Sequence, residues 1–507
     1  MKYINKIIAL VVLLFISQAC AELDEDTSSI LTIDNLGTES DIVAALTPVY
    51  RQTSNSYRDF HNQRSPTFGA DDLTTWWGGN KAPLRVFDGF DYGSGENSDI
   101  NWLDYGWINY WKSIYYANTV IEGLKTSTAP EDIIKMGDGE ARYLRALAYF
   151  HLVRTHGNMP IILDGYVPTG DEERATVLAN YQHIEADLLI AEANLPGPES
   201  VTNVGRVSAA AAKTLLADLY LTWGGWPVND NSKYQMAATK SKEVIDTWGG
   251  YFELLPIADL WLLENENSKE SVFSVQFSQA ENMASSYAAS TSFHEARGWS
   301  DAFPELQFFN DFPEGARKVA TFRTEIPQRG FSQGAIFTKD PATKHYTVSQ
   351  RFHPMYKKFN IGEDLTVGGR TQSYRSVEAY RYAEVLLIYA EAQTRGGETA
   401  ASIEALNQVR RRAAGLPYMT PDNSVDVATA TVDEIIAERG WELAGEYKRW
   451  FDLIRSEKLE QIAALRDPAE NVPLLRQPTK AQYISPIPFQ AIASSKLLQN
   501  PEGFKIQ

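Results

Sequence analysis

The sequence predicts a mainly α-helical protein, a scaffold of stacked helical pairs interrupted by a loop-rich insertion in its second half. Three observations carry that expectation. Apolar residues recur at helical spacing in several long segments, and two of those segments follow one another across a short glycine turn. The helical period then fades between about residues 250 and 375, where Gly, Pro, Asn and Ser rise.

The elements follow in chain order. Ala141, Leu144, Ala148 and Leu152 fall on one face of a helix predicted over residues 140–155. Ser208 is a suitable N-cap for a helix that runs through Ala209 to Ala212 and on to Tyr220, where Gly224-Gly225 stops it. A third helix is predicted over 380–394, ending at Gly396-Gly397, and a fourth over 401–413. Thr431 with Glu434 makes a capping box that opens a fifth, which continues to Arg455 with a break near Gly445. The third and fourth form a helix–turn–helix of roughly 35 residues, the size of a tetratricopeptide unit. The pairs 107–126 with 140–155 and 180–194 with 208–222 share that layout. Stacked pairs bury one continuous core, so a tetratricopeptide-like scaffold follows. Within the insertion, 251–375, runs such as 271–277 alternate like strands, and its loops stand on the helical frame.

The chain has 507 residues, 44% apolar and 22% charged, which is ordinary globular composition with ample material for a core. Aromatic residues are in excess: 12 Trp, 25 Tyr and 22 Phe outnumber what packing needs, so some are expected on the surface for stacking. A formal charge of −18 excludes a phosphate-backbone partner, hence no nucleic acid, and favours a neutral ligand over a polyanionic one.

The N-terminus has the three-part layout of a secretory signal peptide over residues 1–19. Lys2 and Lys6 are followed by an apolar run from Ile7 to Ile16 and then Ser17, Gln18 and Ala19. The run is too short to cross a hydrocarbon layer, which needs roughly 20 residues. Cys20 is the sole cysteine, so no intrachain disulfide forms. Its setting resembles a bacterial lipobox, which implies that Cys20 is acylated and becomes the mature N-terminus. Removal of 1–19 takes away two lysines and no acids, and the formal charge falls from −18 to −20. Ala-Glu-Leu-Asp-Glu-Asp after Cys20 resembles the acidic export tag of surface lipoproteins in Bacteroidetes. Residues 20–38 are read as an acidic, lipid-anchored leash, 39–250 as an N-terminal helical scaffold and 376–507 as C-terminal helical pairs with a tail.

Several stretches, in order, resemble one family. NYWKSIYYANTVIEGL (109–124), GEARYLRALAYFHLVRTHGNMPII (139–162), GRVSAAAAKTLLADLYL (205–221), YRYAEVLLIYAEAQ (380–393) with LNQVRRRA (406–413), IIAERGWELAGEYKRWFDLIR (435–455) and YISPIPFQAIASSKLLQNPEGF (483–504) are similar to the SusD/RagB proteins. The resemblance covers almost the whole mature chain. It implies a SusD-like helical fold, attachment to the outer membrane facing the cell exterior, and glycan binding without cleavage. The implied partner is a SusC-like TonB-dependent transporter. The motifs themselves are structural: Glu140, Arg142, Arg145, Glu438 and Arg439 are expected in helix-surface or interhelix pairs.

A sugar ring offers one apolar face and a rim of hydroxyls, so its receptor needs a flat aromatic platform with polar groups beside it. Trp76-Trp77, followed by Gly78-Gly79, reads as a loop apex, and Asp71, Asp72 and Asn80 flank it with hydroxyl-binding chemistry. Trp299 stands between Gly298 and Pro304 in the insertion, beside Asp301, and Tyr287 is a further candidate; Phe293 and Tyr346 are weaker ones. Trp107 with Trp111, at i and i+4, and Trp441 and Trp450 are expected in the core. Three tryptophans on two loops would suit a chain that bends, such as a laminarin-type β-1,3-glucan; α-glucan, fructan, xylan and chitin stay open.

No catalytic residues are assigned. The sequence lacks His-Glu-x-x-His, Gly-x-Ser-x-Gly and a phosphate-binding glycine loop, and the seven histidines show no metal-ligand spacing. No cofactor is expected, although an irregular Ca²⁺ site would leave no readable pattern. Two other readings remain: a peptide- or protein-binding helical scaffold, and a glycoside hydrolase, whose two carboxylates sequence spacing cannot reveal.

Overall fold

The computed structural model describes residues 36–58, 65–91, 103–328, 342–359, 373–397, 399–497 and 500. Cys20 and the acidic run after it lie outside them. Residues 36–38, expected in the leash, belong to the fold: Leu36 is buried in the main core, and the Asp41 carboxylate accepts from the Thr38 amide at 2.9 Å to open the first helix.

The helical frame comprises α1 (Glu39–Arg58), α2 (Ala82–Asp88), α3 (Leu103–Leu124), α4 (Glu131–His156), α5 (Val177–Asn194), α6 (Ala209–Trp223), α7 (Ser232–Trp248), α8 (Tyr382–Gly396), α9 (Ala400–Ala413), α10 (Val432–Glu442) and α11 (Arg449–Arg455). Short α2 apart, these pack largely in sequence order: α1 on α3, α3 on α4, α4 on α5, α5 on α6 and α6 on α7. Then α8, from beyond the insertion, seats on α7, and α9 and α10 follow it. The predicted pairs are therefore present. The alanine run Ala209–Ala212, fully or nearly buried, has no side chain beyond Cβ to keep neighbouring helices apart.

Local signals set the ends. Ser208 Oγ accepts from the Ala211 amide at 3.2 Å, and Thr431 and Glu434 satisfy each other's backbone amides as a capping box. Gly157, with φ +78°, closes α4, and Gly445, with φ +71°, lies in the gap that separates α10 from α11.

One helix starts later than its periodicity predicts. Tyr380 and Arg381 belong to a strand, β6 (Val377–Arg381), and α8 opens at Tyr382. That strand pairs antiparallel with β1 (Ser271–Val275). The predicted alternation over 271–277 is absent, because Val272, Phe273, Ser274 and Val275 are all buried. Both sheet faces are covered, and the serines are satisfied inside: Ser271 and Ser274 each donate to the Glu378 carboxylate at 2.6 Å. Elsewhere the described residues of the insertion form short helices, Tyr287–Thr291, Leu306–Asp311 and Ala316–Thr321, and two further two-stranded ribbons. In these β2 (Phe322–Arg323) pairs with β5 (Met355–Tyr356), and β3 (Glu325–Pro327) with β4 (Thr343–His345).

The family-motif charges form buried ties between elements. Arg145 donates to Asp187 on α5 at 2.7 Å, Glu140 accepts from Arg206, and Arg439 on α10 donates to Asp452 on α11 at 3.0 Å. Among the described residues no helix is long and apolar enough to cross a membrane, and no group of three or more His, Cys, Asp or Glu side chains is arranged to hold a metal ion.

Candidate functional site

A ledge over residues 70–81 hangs from buried anchors. Thr74 exchanges both backbone hydrogen bonds with Phe303, at 2.7 and 3.1 Å, which joins the ledge to the loop that carries Trp299. Beneath it, Asp88 accepts from Thr74 Oγ1 at 2.8 Å, from the Thr75 amide at 3.1 Å and from Arg466 at 2.6 Å. Burial pushes the Asp88 carboxyl up to about 6, although Arg466 and the two threonine donors pull it back. Arg466 also holds Glu305, just beyond Phe303, so one guanidinium ties both loops.

On this ledge the two tryptophans part company. Trp76 is half-buried against Phe293, Phe303, Ile326 and Met355, and the Arg351 guanidinium covers its ring at 4.0 Å. Trp77 is 66% exposed. The turn after them needs glycine, because a Cβ on Gly78 would sit 2.9 Å from the Trp76 ring. Arg85 then donates to the Trp77 carbonyl at 3.0 Å and fixes the turn from below. Asn80 is exposed beside it.

The facing loop, 292–303, is equally constrained. Ser300 N–H donates to Ser292 O at 2.9 Å, Gly298 N–H to Phe293 O at 2.8 Å, and Trp299 N–H to Ala289 O at 2.7 Å. Arg297 and Ser300 both adopt left-handed backbone, with φ +68° and +55°. Trp299 is half-buried at the tip. The structure therefore places Trp76, Trp77 and Trp299 on two bonded loops, with Trp77 the most open of them.

The predicted polar partners are mostly elsewhere. Asp301 is fully buried in an ion pair with Lys81, which locks the two loops from inside. Asp72 is buried and accepts the Gly445 amide at 2.8 Å, and Asp71 makes a two-pronged pair with Arg449 at 2.8 and 3.0 Å. Burial, and then the charge of Asp71, push Asp72 up to about 7. Tyr287 is buried edge-on against Phe359 and Tyr447, both at 5.7 Å. The expectation that Asp72, Asp301 and Tyr287 line a ligand face is thus corrected: all three lie in the interior. Asp71 keeps only a partly exposed side chain. Phe293 is core as well, and Tyr346 is half-buried. Arg351, absent from the sequence reading, is the residue that decides how much of Trp76 a ligand could reach. Nothing in its surroundings in sequence signals this, since the two positions are 275 residues apart.

Of the tryptophans expected in the core, Trp107 and Trp450 are buried, and Trp111 and Trp441 are half-buried. Trp107 and Trp111 also border an open groove of about 770 Å³ between α3 and residues 160–172, away from the ledge.

A stack of helical pairs with hydrogen-bonded loops braced upon it is the architecture of a helical-repeat scaffold. Comparison with known proteins agrees. Residues 287–503 match the model described as the SusD family, and residues 46–221 one described as "starch-binding associating with outer membrane". The chain belongs to the SusD/RagB family. A SusD-like protein of Bacteroides ovatus is 28% identical over 69% of this chain and 65% of its own length. SusD-like protein P2 of Formosa agariphila is 26% identical over 98% of this chain and 99% of its own. Among solved structures, a SusD homologue from Bacteroides thetaiotaomicron superposes with a TM-score of 0.77 at 21% identity, covering 92% of this chain and 98% of that one. A laminarin-binding SusD-like protein superposes with a TM-score of 0.69 at 26% identity, covering 92% and 99%. SusD family proteins bind glycans without catalysis, which is the ground for reading this chain as a non-enzyme.

Proposed function

We propose that this chain is a cell-surface glycan receptor, anchored in the outer membrane through acylated Cys20, that holds a neutral polysaccharide or oligosaccharide for a SusC-like TonB-dependent transporter. The observation that carries the reading is Trp77, an indole 66% exposed on a ledge whose footing is hydrogen-bonded and ion-paired throughout. A rigid platform binds a flat pyranose face without first losing rotamer freedom, which is where a floppy aromatic would forfeit affinity. Trp299 and the uncovered part of Trp76 extend the surface, and Asn80 supplies a hydroxyl partner. The formal charge of −18 favours an uncharged chain. A laminarin-type β-1,3-glucan is the preferred ligand, supported by the likeness to a laminarin-binding relative and by tryptophans carried on two hydrogen-bonded loops.

Native electrophoresis of the mature protein through gels containing laminarin, starch, inulin, xylan or soluble chitin oligomers tests this, with reducing ends assayed in parallel. Laminarin retards the wild type and no new reducing ends form. By analogy with aromatic pairs, a lost stack is worth about 0.5–1.5 kcal/mol. Trp77→Ala therefore weakens binding by roughly 2- to 10-fold. Trp77→Ala binding as well as wild type would remove the ledge as the site. The groove of about 770 Å³ favours a second reading, a protein-docking scaffold, which predicts retardation by none of these glycans.

A further inference from the structure

A third segment, 346–353, closes over the two loops, and its backbone is strained at one place. Phe352 has φ +58°, a conformation that a residue with a Cβ adopts at a cost and that glycine or asparagine would take more readily. Its side chain is nevertheless 57% exposed. An aromatic ring in left-handed backbone that gains little burial in return is a combination that packing alone does not reward.

The neighbours show how the ring is held out. Arg351 is 1% exposed, stacked on Trp76 at 4.0 Å and 2.9 Å from His294 Nδ1. His353 is fully buried, tilted against Phe303 at 4.8 Å and hydrogen-bonded to Glu470 at 2.7 Å. The Arg351 carbonyl accepts from Asn471 at 2.9 Å, and the Gln350 amide donates to Glu295 at 3.2 Å. Residues on both sides of Phe352 are thus pinned inward, to the ledge and to the Trp299 loop. Between them the chain can only turn outward, and the Phe352 amide closes that turn on Ser349 Oγ at 3.3 Å. Trp77 and Phe352 are each one residue away from the stacked pair Trp76–Arg351, so both exposed rings stand on one braced unit.

We infer that Phe352 is a second aromatic subsite of the ledge, taking the apolar face of another pyranose of the same oligosaccharide that stacks on Trp77. This rests on the glycan-receptor reading above. Two platforms on separate segments select for chain length, because a short ligand reaches one ring and a longer one reaches both. The left-handed backbone is the means by which the fold presents the ring, so display and stability oppose each other at this position.

Calorimetric titration of wild type, Phe352→Ala, Phe352→Gly, Phe352→Trp and Trp77→Ala with laminaribiose, laminarihexaose and laminarin, alongside melting curves, tests the inference. Phe352→Ala and Phe352→Gly lower affinity for laminarihexaose and laminarin by about 2- to 10-fold, in line with one lost stack, and leave laminaribiose nearly unchanged. Phe352→Trp restores the longer ligands. Phe352→Gly also raises the melting temperature, because glycine accepts the backbone without strain. Full affinity for laminarihexaose in both Phe352 truncations, with Trp77→Ala impaired, overturns the subsite and leaves the receptor reading intact. A lowered melting temperature in Phe352→Gly also overturns it, since the ring would then be structural. A wild type that binds none of the three ligands overturns the laminarin reading itself, and the subsite with it.

Discussion

Trp76 and Trp77 are adjacent in sequence and opposite in environment, and the difference is made by residues far away. Arg351 covers one ring, while among the described residues nothing comparable covers the other. Sequence locates such a pair and its glycine turn, because Trp-Trp-Gly-Gly fits poorly in a packed helix. It does not tell which ring is free. The flanking acids mislead for the same reason. Asp301 beside Trp299 reads as a hydroxyl acceptor until its partner is seen to be Lys81, 220 residues away in the chain. Gly298 shows the residue scale at its most exacting. A Cβ there would lie 2.0 Å from Ser292 O, a backbone atom that is itself fixed by the Ser300 amide. Nothing flexible can yield, so Gly298→Ala must move the loop. Urea unfolding should register a loss of about 1–3 kcal/mol, typical of overpacking, and laminarin affinity should fall with it as Trp299 shifts. An unchanged unfolding midpoint would show that the loop is looser than its hydrogen bonds imply.

At the scale of elements, the helices were legible because their signals are local. The Thr431–Glu434 capping box, the Ser208 cap and the Gly445 break all act within four residues of where they are read. What stayed hidden is long-range. Tyr380 and Arg381 continue the periodicity of α8, yet β1, more than 100 residues earlier, claims them as strand. Charges were hidden too. Arg381, placed by its spacing in the predicted helix 380–394, is buried and donates to Glu270 at 2.7 Å, Glu442 at 3.0 Å and Glu446 at 2.8 Å. Arg412 and Arg317 share Glu442, and Lys358 shares Glu446, so one network ties the insertion to α9 and α10. Inside it, burial alone would raise the Glu442 carboxyl, but Arg412, Arg381 and Arg317 outweigh burial and hold it down at about 2. Taking away a hub cation leaves three buried carboxylates short of a partner. Arg381→Met is therefore expected to cost about 3–5 kcal/mol, the range for breaking a buried pair from one side. Guanidinium denaturation reads it directly, and a cost under about 1 kcal/mol would mean that Arg412 and Lys358 compensate.

Over the whole molecule, these buried groups set how stability follows pH, and the two limbs have different owners. On the alkaline side stand carboxyls whose folded values are raised. Burial, and then the Asp71 charge, take Asp72 from 3.8 to about 7, and burial takes Asp88 from 3.8 to about 6. A raised acid binds its proton more tightly in the fold than in the open chain. Its stabilisation is complete below the unfolded value and is lost as pH rises through the folded one. Asp72 alone should then remove roughly 1.4 kcal/mol between about pH 6 and pH 8. On the acid side, burial holds His156 neutral with a value of about 4, and the arginines around Glu442 and Asp452 hold those two at about 2 against the pull of burial. Stability from His156 is lost as pH falls below its ordinary 6.5 towards 4, and that from the two carboxylates as pH falls from their ordinary values towards 2. The limbs overlap between about pH 4 and pH 7, where the loss from Asp72 and Asp88 opposes the gain from His156, so the two aspartates draw the maximum towards acid pH. Asp72→Asn separates them, because the amide oxygen still accepts the Gly445 amide while the titrating proton is gone. Melting temperatures measured from about pH 4 to pH 9 should show the wild-type decline between about pH 4 and pH 8 made shallower in Asp72→Asn, with the two profiles parallel above about pH 8. An alkaline decline as steep in the variant as in the wild type would assign that limb to another group and leave Asp72 ionised in the fold.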